Sequence, residues 1–224
     1  MPIIQKPKKV ISLADRKQQL KDLSTKIYSD DEIKNFNIYE AIKDHPLNRR
    51  PTTIRSKLAY SEITNNLKPT KKYLLPGQIS IFGYSTPKYK EELEYYDATP
   101  MTFFFGLVRT KDNTIREVGL NLHYYPPYTR FNVLRVCFNV YKTYFEKQFN
   151  EEYHKPNNYV SWNQLKHIMS RDKRLAFGIK MYIPALRGNT YVLPTRLLPT
   201  AAYTEGHFSK ATLTQVFHFW RQFR

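Results

Sequence analysis

Cysteine is almost missing from this chain: Cys137 stands alone among 224 residues. No internal disulfide can form, which is the usage of a protein assembled in a reducing compartment. The lone thiol falls inside a helical pattern and reads as a small core residue. Glycine is scarce too. Seven are scattered at positions 77, 83, 106, 119, 178, 188 and 206, so no glycine-rich loop exists to cradle a nucleotide phosphate. One cysteine and six dispersed histidines give no zinc-ligand spacing, and neither a resident metal nor a cofactor is expected. No apolar run approaches the ~18 residues a membrane span requires, and the opening MPIIQKPKKVISLADRKQQL lacks the apolar centre of a secretory signal. No membrane partner is expected. Acidic residues are the last shortage: 19 Asp and Glu against 36 Lys and Arg leave a net charge of +17.

That surplus is unevenly placed. Residues 1–75 carry a net +8, residues 76–170 only +2, and residues 171–224 again +7. A nearly neutral middle between two cationic ends suits a folded anchor whose ends grip a polyanion or an acidic protein. The basic groups that would make this contact are Lys6, Lys8, Lys9, Arg49, Arg50, Lys71, Lys72, Arg171, Lys173 and Arg174. The opposing reading is a Lys-rich surface that merely keeps the protein soluble.

Aromatic residues make up 15% of the chain, ample for a core, and they concentrate in its middle. Gln78 to Tyr84, Met101 to Arg109 and Glu117 to Tyr125 read as three short strands. Lys111, Asp112, Asn113 and Thr114 form a polar hairpin turn between the second and third. The fold class expected is α+β: a small SH3-like or barrel-like antiparallel β core, an N-terminal helical arm and a C-terminal helical region. The boundaries fall at 1–73 for the partly helical basic arm, 74–128 for the β core and 129–224 for the helical region.

Within the arm, Met1 to Ile11 is extended, Ser12 caps a helix over Leu13 to Ile27, residues 46 to 53 form an exposed basic loop, and Thr53 to Asn65 are helical. After the core, a wide apolar stripe predicts a helix from Arg130 to Phe149. A second helix starts behind Ser161, helical character continues from Arg171 to Ala185, Tyr191 to Pro194 is extended, and Ser209 to Phe223 closes the chain as a helix.

The succession FGYSTPKYKEELEYYDATPM, followed by GLNLHYYPPYTR running into a helix, resembles a virion structural family of tailed, T-even-type bacteriophages. Its members are labelled DNA end protector, head-completion or neck proteins. The resemblance makes Tyr95, Tyr96, Asp97, Asn121, His123, Pro126, Pro127 and Arg130 structural motif residues, with Asn121 and Asp97 as partners of His123. It implies a virion protein without catalytic activity, assembled in the host cytoplasm at the portal, neck or DNA-end region. It would be present in several copies in a ring or other symmetric assembly, and its partners would be portal, neck or tail subunits and double-stranded DNA. Two alternatives stay open: a tail or baseplate component, and a DNA-binding protein or nuclease acting on DNA ends. For the nuclease, Asp97, Asp112 and Glu117 are the candidate metal carboxylates. Tyr95, Tyr96, Tyr124, Tyr125 and Tyr128 would stack bases if exposed.

Overall fold

A computed structural model describes residues 45–70, 74, 76–141, 163, 165–166 and 173–221. The chain divides into two units, Met1–Phe36 and Asn37–Arg224, and every described residue belongs to the second. The arm's first helices and its extended start lie outside the described residues.

Five strands form one sheet: β1 (Ile79–Tyr84), β2 (Met101–Arg109), β3 (Ile115–Asn121), β4 (Ile179–Tyr182) and β5 (Arg187–Val192). The order is β4-β3-β2-β1-β5 and every pairing is antiparallel. Strand β2 is central and buried on both sides, with Phe103, Phe104 and Phe105 each at most 1% exposed. Phe103 sets the register, opposite Ile79 on β1 and Leu120 on β3.

The sheet is rolled. In a flat sheet, β1 and β4 would lie about 14 Å apart, three strand spacings. Here the Tyr182 ring of β4 meets Tyr84 and Phe82 of β1 edge-on, at centroid distances of 5.1 and 5.2 Å. Strands β4 and β5 sit at opposite edges in the order, yet only residues 183–186 join them, through a 3₁₀ turn over Pro184–Leu186. Four residues bridge the sheet's edges only if those edges curl toward each other. A meander of four strands, a 3₁₀ link and a fifth strand returning beside the first is the SH3-like arrangement.

The roll is not a closed barrel, and the barrel expectation is corrected on this point. Among the described residues β4 and β5 share no ladder, because the 3₁₀ turn redirects the chain before β5 can pair with β4. Side chains close the seam instead. The backbone N–H of Ile183 donates to Tyr84 Oη at 3.0 Å, and Arg187 Nε lies 2.7 Å from Glu117 Oε2. The inside is filled by Leu74, Phe82, Tyr84, Tyr96, Phe104 and Tyr182.

The described helices are α1 (Thr52–Asn66), α2 (Pro87–Glu92), which buries none of its residues, α3 (Pro127–Tyr141), α4 (Lys173–Gly178), α5 (Leu198–Ala201) and α6 (Leu213–Arg221). Helix α3 opens on Pro127, whose missing donor has no intrahelical acceptor at that position, and buries Val133, Leu134 and Cys137. Helix α1 turns Ala59 and Ile63 inward, each 0% exposed, and lies against α5. Thr212 and Gln215 cap α6 reciprocally: Gln215 Oε1 accepts from Thr212 N at 2.8 Å and Thr212 Oγ1 from Gln215 N at 3.3 Å. No described helix is long and apolar enough to cross a membrane.

Several elements differ from the sequence reading. The basic loop expected at 46–53 holds the 3₁₀ turn Pro46–Arg49, with Leu47 buried, and the first residues of α1, and the last helix starts at Leu213 rather than Ser209. The third strand stops at Asn121, whose Oδ1 accepts from His123 N at 3.0 Å and starts a 3₁₀ turn over Leu122–Tyr124. The helical pattern carried through Ala185 ends at Gly178, where β4 begins. A Cβ on Gly178 would press on the buried Tyr125 ring, so any larger residue there would have to push that ring aside.

Gly119 is equally constrained. A Cβ there would sit 2.7 Å from the Phe103 carbonyl oxygen, which belongs to the neighbouring strand's backbone and cannot rotate away. Gly119→Ala is expected to lower the unfolding free energy by about 1–3 kcal/mol, read in urea, by forcing β2 and β3 apart.

Candidate functional site

Three separate segments meet at Asp97. Its Oδ2 accepts from Asn121 Nδ2 at 3.0 Å and lies 2.9 Å from His123 Nδ1; its Oδ1 accepts from the backbone N–H groups of Thr99 and His207, both at 3.0 Å. The carboxylate thus ties the loop before β2 to the end of β3 and to the 204–208 segment. Burial works against a charge here, but His123, Asn121 and the Thr99 N–H hold the Asp97 carboxyl below its usual range. Burial in turn holds His123 below the ordinary imidazole value despite Asp97 beside it. At neutral pH the pair is a carboxylate and a neutral imidazole whose Nδ1 carries the shared proton.

His123 Nε2 lies 3.0 Å from Thr204 Oγ1; with the ring proton on Nδ1, Nε2 accepts from that hydroxyl, whose single proton is shared with the Ala201 carbonyl 2.7 Å away. Asp97, His123 and Thr204 therefore line up as the acid, base and hydroxyl of a hydrolase would. Access decides against that chemistry. His123 and Thr204 are 0% exposed and Asp97 5%, so no substrate carbonyl can reach the hydroxyl. The chain of hydrogen bonds is a structural knot.

Arg130 completes it. Fully buried, it donates from Nε to the Tyr125 carbonyl at 3.0 Å and from Nη1 to the carbonyls of Ala202, at 2.7 Å, and Thr204. Burial brings its guanidinium down to about 10. Pro126 O accepts from Thr129 N at 2.9 Å, and Pro126 with Pro127 aims α3 so that Arg130 points back under the knot. Tyr96 Oη donates to the Tyr84 carbonyl at 2.6 Å and accepts from Thr86 N at 2.9 Å. Tyr124 Oη donates to the Tyr95 carbonyl.

The knot thus gathers Asp97, Asn121, His123 and Arg130. Tyr96, Tyr124 and Tyr125 are buried and cannot stack on bases, whereas Tyr128 is 53% exposed. Thr204 and the backbone of Ala202 and His207 escape sequence reasoning, since they lie more than 75 residues from Asn121 and His123 and carry no motif.

The three carboxylates of the metal-nuclease alternative stay apart. Asp97 is in the knot, Asp112 is an exposed turn residue held by Thr110 and Thr114, and Glu117 is paired with Arg187. No group of His, Cys, Asp and Glu among the described residues is placed to hold a metal. Beside the knot, Glu94, Tyr95, Thr214, Gln215, His218 and Phe219 line a cleft of about 400 Å³. The Glu94 carboxylate at its rim makes it unfavourable for phosphate. Lys180 lies over the rings of Tyr124 at 4.5 Å and Phe177 at 5.4 Å, and burial brings its ammonium down to about 8.

Of the basic residues singled out by charge, Arg49 and Arg50 are described and exposed. They follow one another at the end of a 3₁₀ turn (Pro46–Arg49) and lead into α1. Lys173 and Arg174 open α4. Lys6, Lys8, Lys9, Lys71, Lys72 and Arg171 lie outside the described residues. Around Arg49 the charge is one-sided: from Pro46 to Ser61 there are four cations, Arg49, Arg50, Arg55 and Lys57, and no acid.

The family model described as Phage T4 terminal DNA protecting protein matches residues 8–192. This chain belongs to that family. The matched span includes all five strands, the basic run at 49–57, and Asp97, Asn121, His123 and Arg130 of the knot. The resemblance seen in the sequence motif is therefore borne out at family level, and the role in the family's description, protection of terminal DNA, is not a catalytic one. No curated protein and no solved structure matches the chain.

Proposed function

We propose that this protein is a non-enzymatic component of a phage particle that binds a DNA end and shields it. The observation that carries the reading is the acid-free cationic run on the outside of the folded unit, within a chain of the terminal DNA protecting family. The knot and the rolled sheet hold that surface in place, and Arg49 and Arg50 supply charge to phosphates. A site at the portal, neck or head-completion region, in a symmetric multi-copy assembly, gives such a protein both the DNA terminus and neighbouring subunits to grip. The basic segments at 1–73 and 171–174 serve the same contacts.

Arg49→Ala/Arg50→Ala in the full chain tests this. Both side chains are exposed, so the fold should survive. Each phosphate that the protein no longer neutralises takes about 0.9 off the slope of log affinity against log salt on duplex DNA. The double variant is expected to bind linear duplex more weakly, with a slope shallower by about 2, and to leave the terminus open to exonuclease digestion that the unaltered protein blocks. Equal slopes and equal protection would remove these arginines from the interface. Failure of the unaltered protein to bind duplex DNA at low salt would overturn the reading.

A further inference from the structure

A duplex end differs from the rest of DNA in one chemical respect: the flat face of its last base pair has lost a stacking neighbour and meets water. A protein surface that covers an end, rather than lying along the backbone, needs an apolar patch to stack there and cations around it for the flanking phosphates.

Helix α1 carries such a patch. Its inner face is buried through Ser56, Ala59 and Ile63. Its outer face presents Ile54 at 48% and Leu58 at 40% exposure. Spaced i and i+4, they stand one above the other on one side of the helix. They are flanked by Arg49, Arg50 and Lys57, all exposed; the first acid along the helix is Glu62, whose carboxylate is engaged by Thr200 Oγ1 at 3.0 Å. The helix starts at Pro51 without a side-chain cap and without an acid in its first turn, so the positive end of its backbone dipole adds to the same field. On this helix the two exposed apolar side chains stand beside the basic residues rather than apart from them.

We propose that the Ile54–Leu58 stripe of α1 stacks on the terminal base pair of a DNA duplex while Arg49, Arg50 and Lys57 hold the last phosphates. The inference rests on the DNA-end reading above and names the part of the end that is touched. The charge of the rim selects DNA over an acidic protein segment because the guest must bring an uncharged flat centre together with a ring of negative charge.

The test uses the full chain and two probes: a blunt duplex with 2-aminopurine in its last base pair, and a closed circular DNA without ends. Ile54→Ala/Leu58→Ala removes apolar surface from an exposed face, and its fold is checked by its melting curve. The unaltered protein should change the 2-aminopurine emission, and the double variant should bind the blunt duplex about tenfold or more weakly. Affinity for the circle and the salt slope should stay unchanged, since stacking releases no counterions. Equal affinity of both proteins for the blunt duplex would overturn the inference while leaving DNA-end binding intact, and would point to a protein as the guest of this stripe. Equal weakening on circle and blunt end would also overturn it. No binding to either probe by the unaltered protein would defeat the DNA-end reading and this inference together.

Discussion

Asp97→Ala is expected to cost about 3–5 kcal/mol of unfolding free energy, the range for removing one partner from a buried charged network. Four donors converge on this carboxylate, two from side chains and two from the backbone. Truncation leaves all four without their acceptor, the Asn121 and His123 side chains in a fully buried position. A domain is stable by only about 5–15 kcal/mol in total, so this one substitution removes a large share. Asp97→Asn should be nearly as damaging despite its matched size. Its amide keeps one acceptor oxygen and turns an NH₂ toward two groups that are themselves donors. Urea unfolding of the three proteins measures this, and an Asn variant within about 1 kcal/mol of the unaltered protein would show that Asp97 is not the charged centre described. Because the folded carboxyl is held below its usual value, its contribution is present above about pH 3.8 and is lost as pH falls through the folded value.

Glu117 gives the second large effect, with the opposite sign. It is 1% exposed on β3, and burial lifts its carboxyl to about 7 although Arg187 stands 2.7 Å away. A raised carboxyl favours the folded state while protonated. The unfolded chain releases this proton near pH 4.5, the folded chain only near 7. Stability from this group therefore falls as pH rises through that window, by about 3 kcal/mol for a shift of this size. His123 works the other way. Its lowered value makes stability rise with pH up to about 6.5, so the two partly cancel in the unaltered protein. Glu117→Gln removes one of them. Relative to the unaltered protein, the stability of Glu117→Gln should therefore rise steadily as pH goes from 4.5 to 7. Parallel profiles would mean that Glu117 does not titrate in this range. Arg187→Met should be tolerated at pH 5 and strongly destabilising at pH 8, where the seam would hold an unpaired buried carboxylate.

The three central strands and the turn at 111–114 were legible as short apolar segments between polar turn residues, alternating on the third strand and running continuously through Phe103, Phe104 and Phe105 on the second. Asn113, with φ of 60°, sits where a residue tolerant of left-handed backbone is needed. The SH3-like roll could be anticipated as a class, but not the way it closes. Strand β4 has four residues directly behind a helix, a length at which periodicity does not separate strand from helix. Without β4 the seam, and with it the Arg187–Glu117 pair, has no visible reason to exist. The knot was half legible. Asp97, Asn121 and His123 stand in recognisable motif stretches, whereas Thr204 supplies an unremarkable hydroxyl and Ala202 and His207 only backbone, so their roles exist solely in three dimensions. Burial, which converts a triad-like line of Asp97, His123 and Thr204 into a scaffold, has no sequence signal.

A protein that recognises DNA ends, as proposed here, responds to the number of termini and not to the mass of DNA. A labelled linear duplex bound by the full chain is challenged with one plasmid in three forms at equal mass: closed circular, cut once, and cut into many fragments. Competition should rise in proportion to the number of termini, with the closed circle competing only at low salt. Equal competition by all three forms would show a protein that tracks phosphates wherever they lie, and the end-binding account would be wrong.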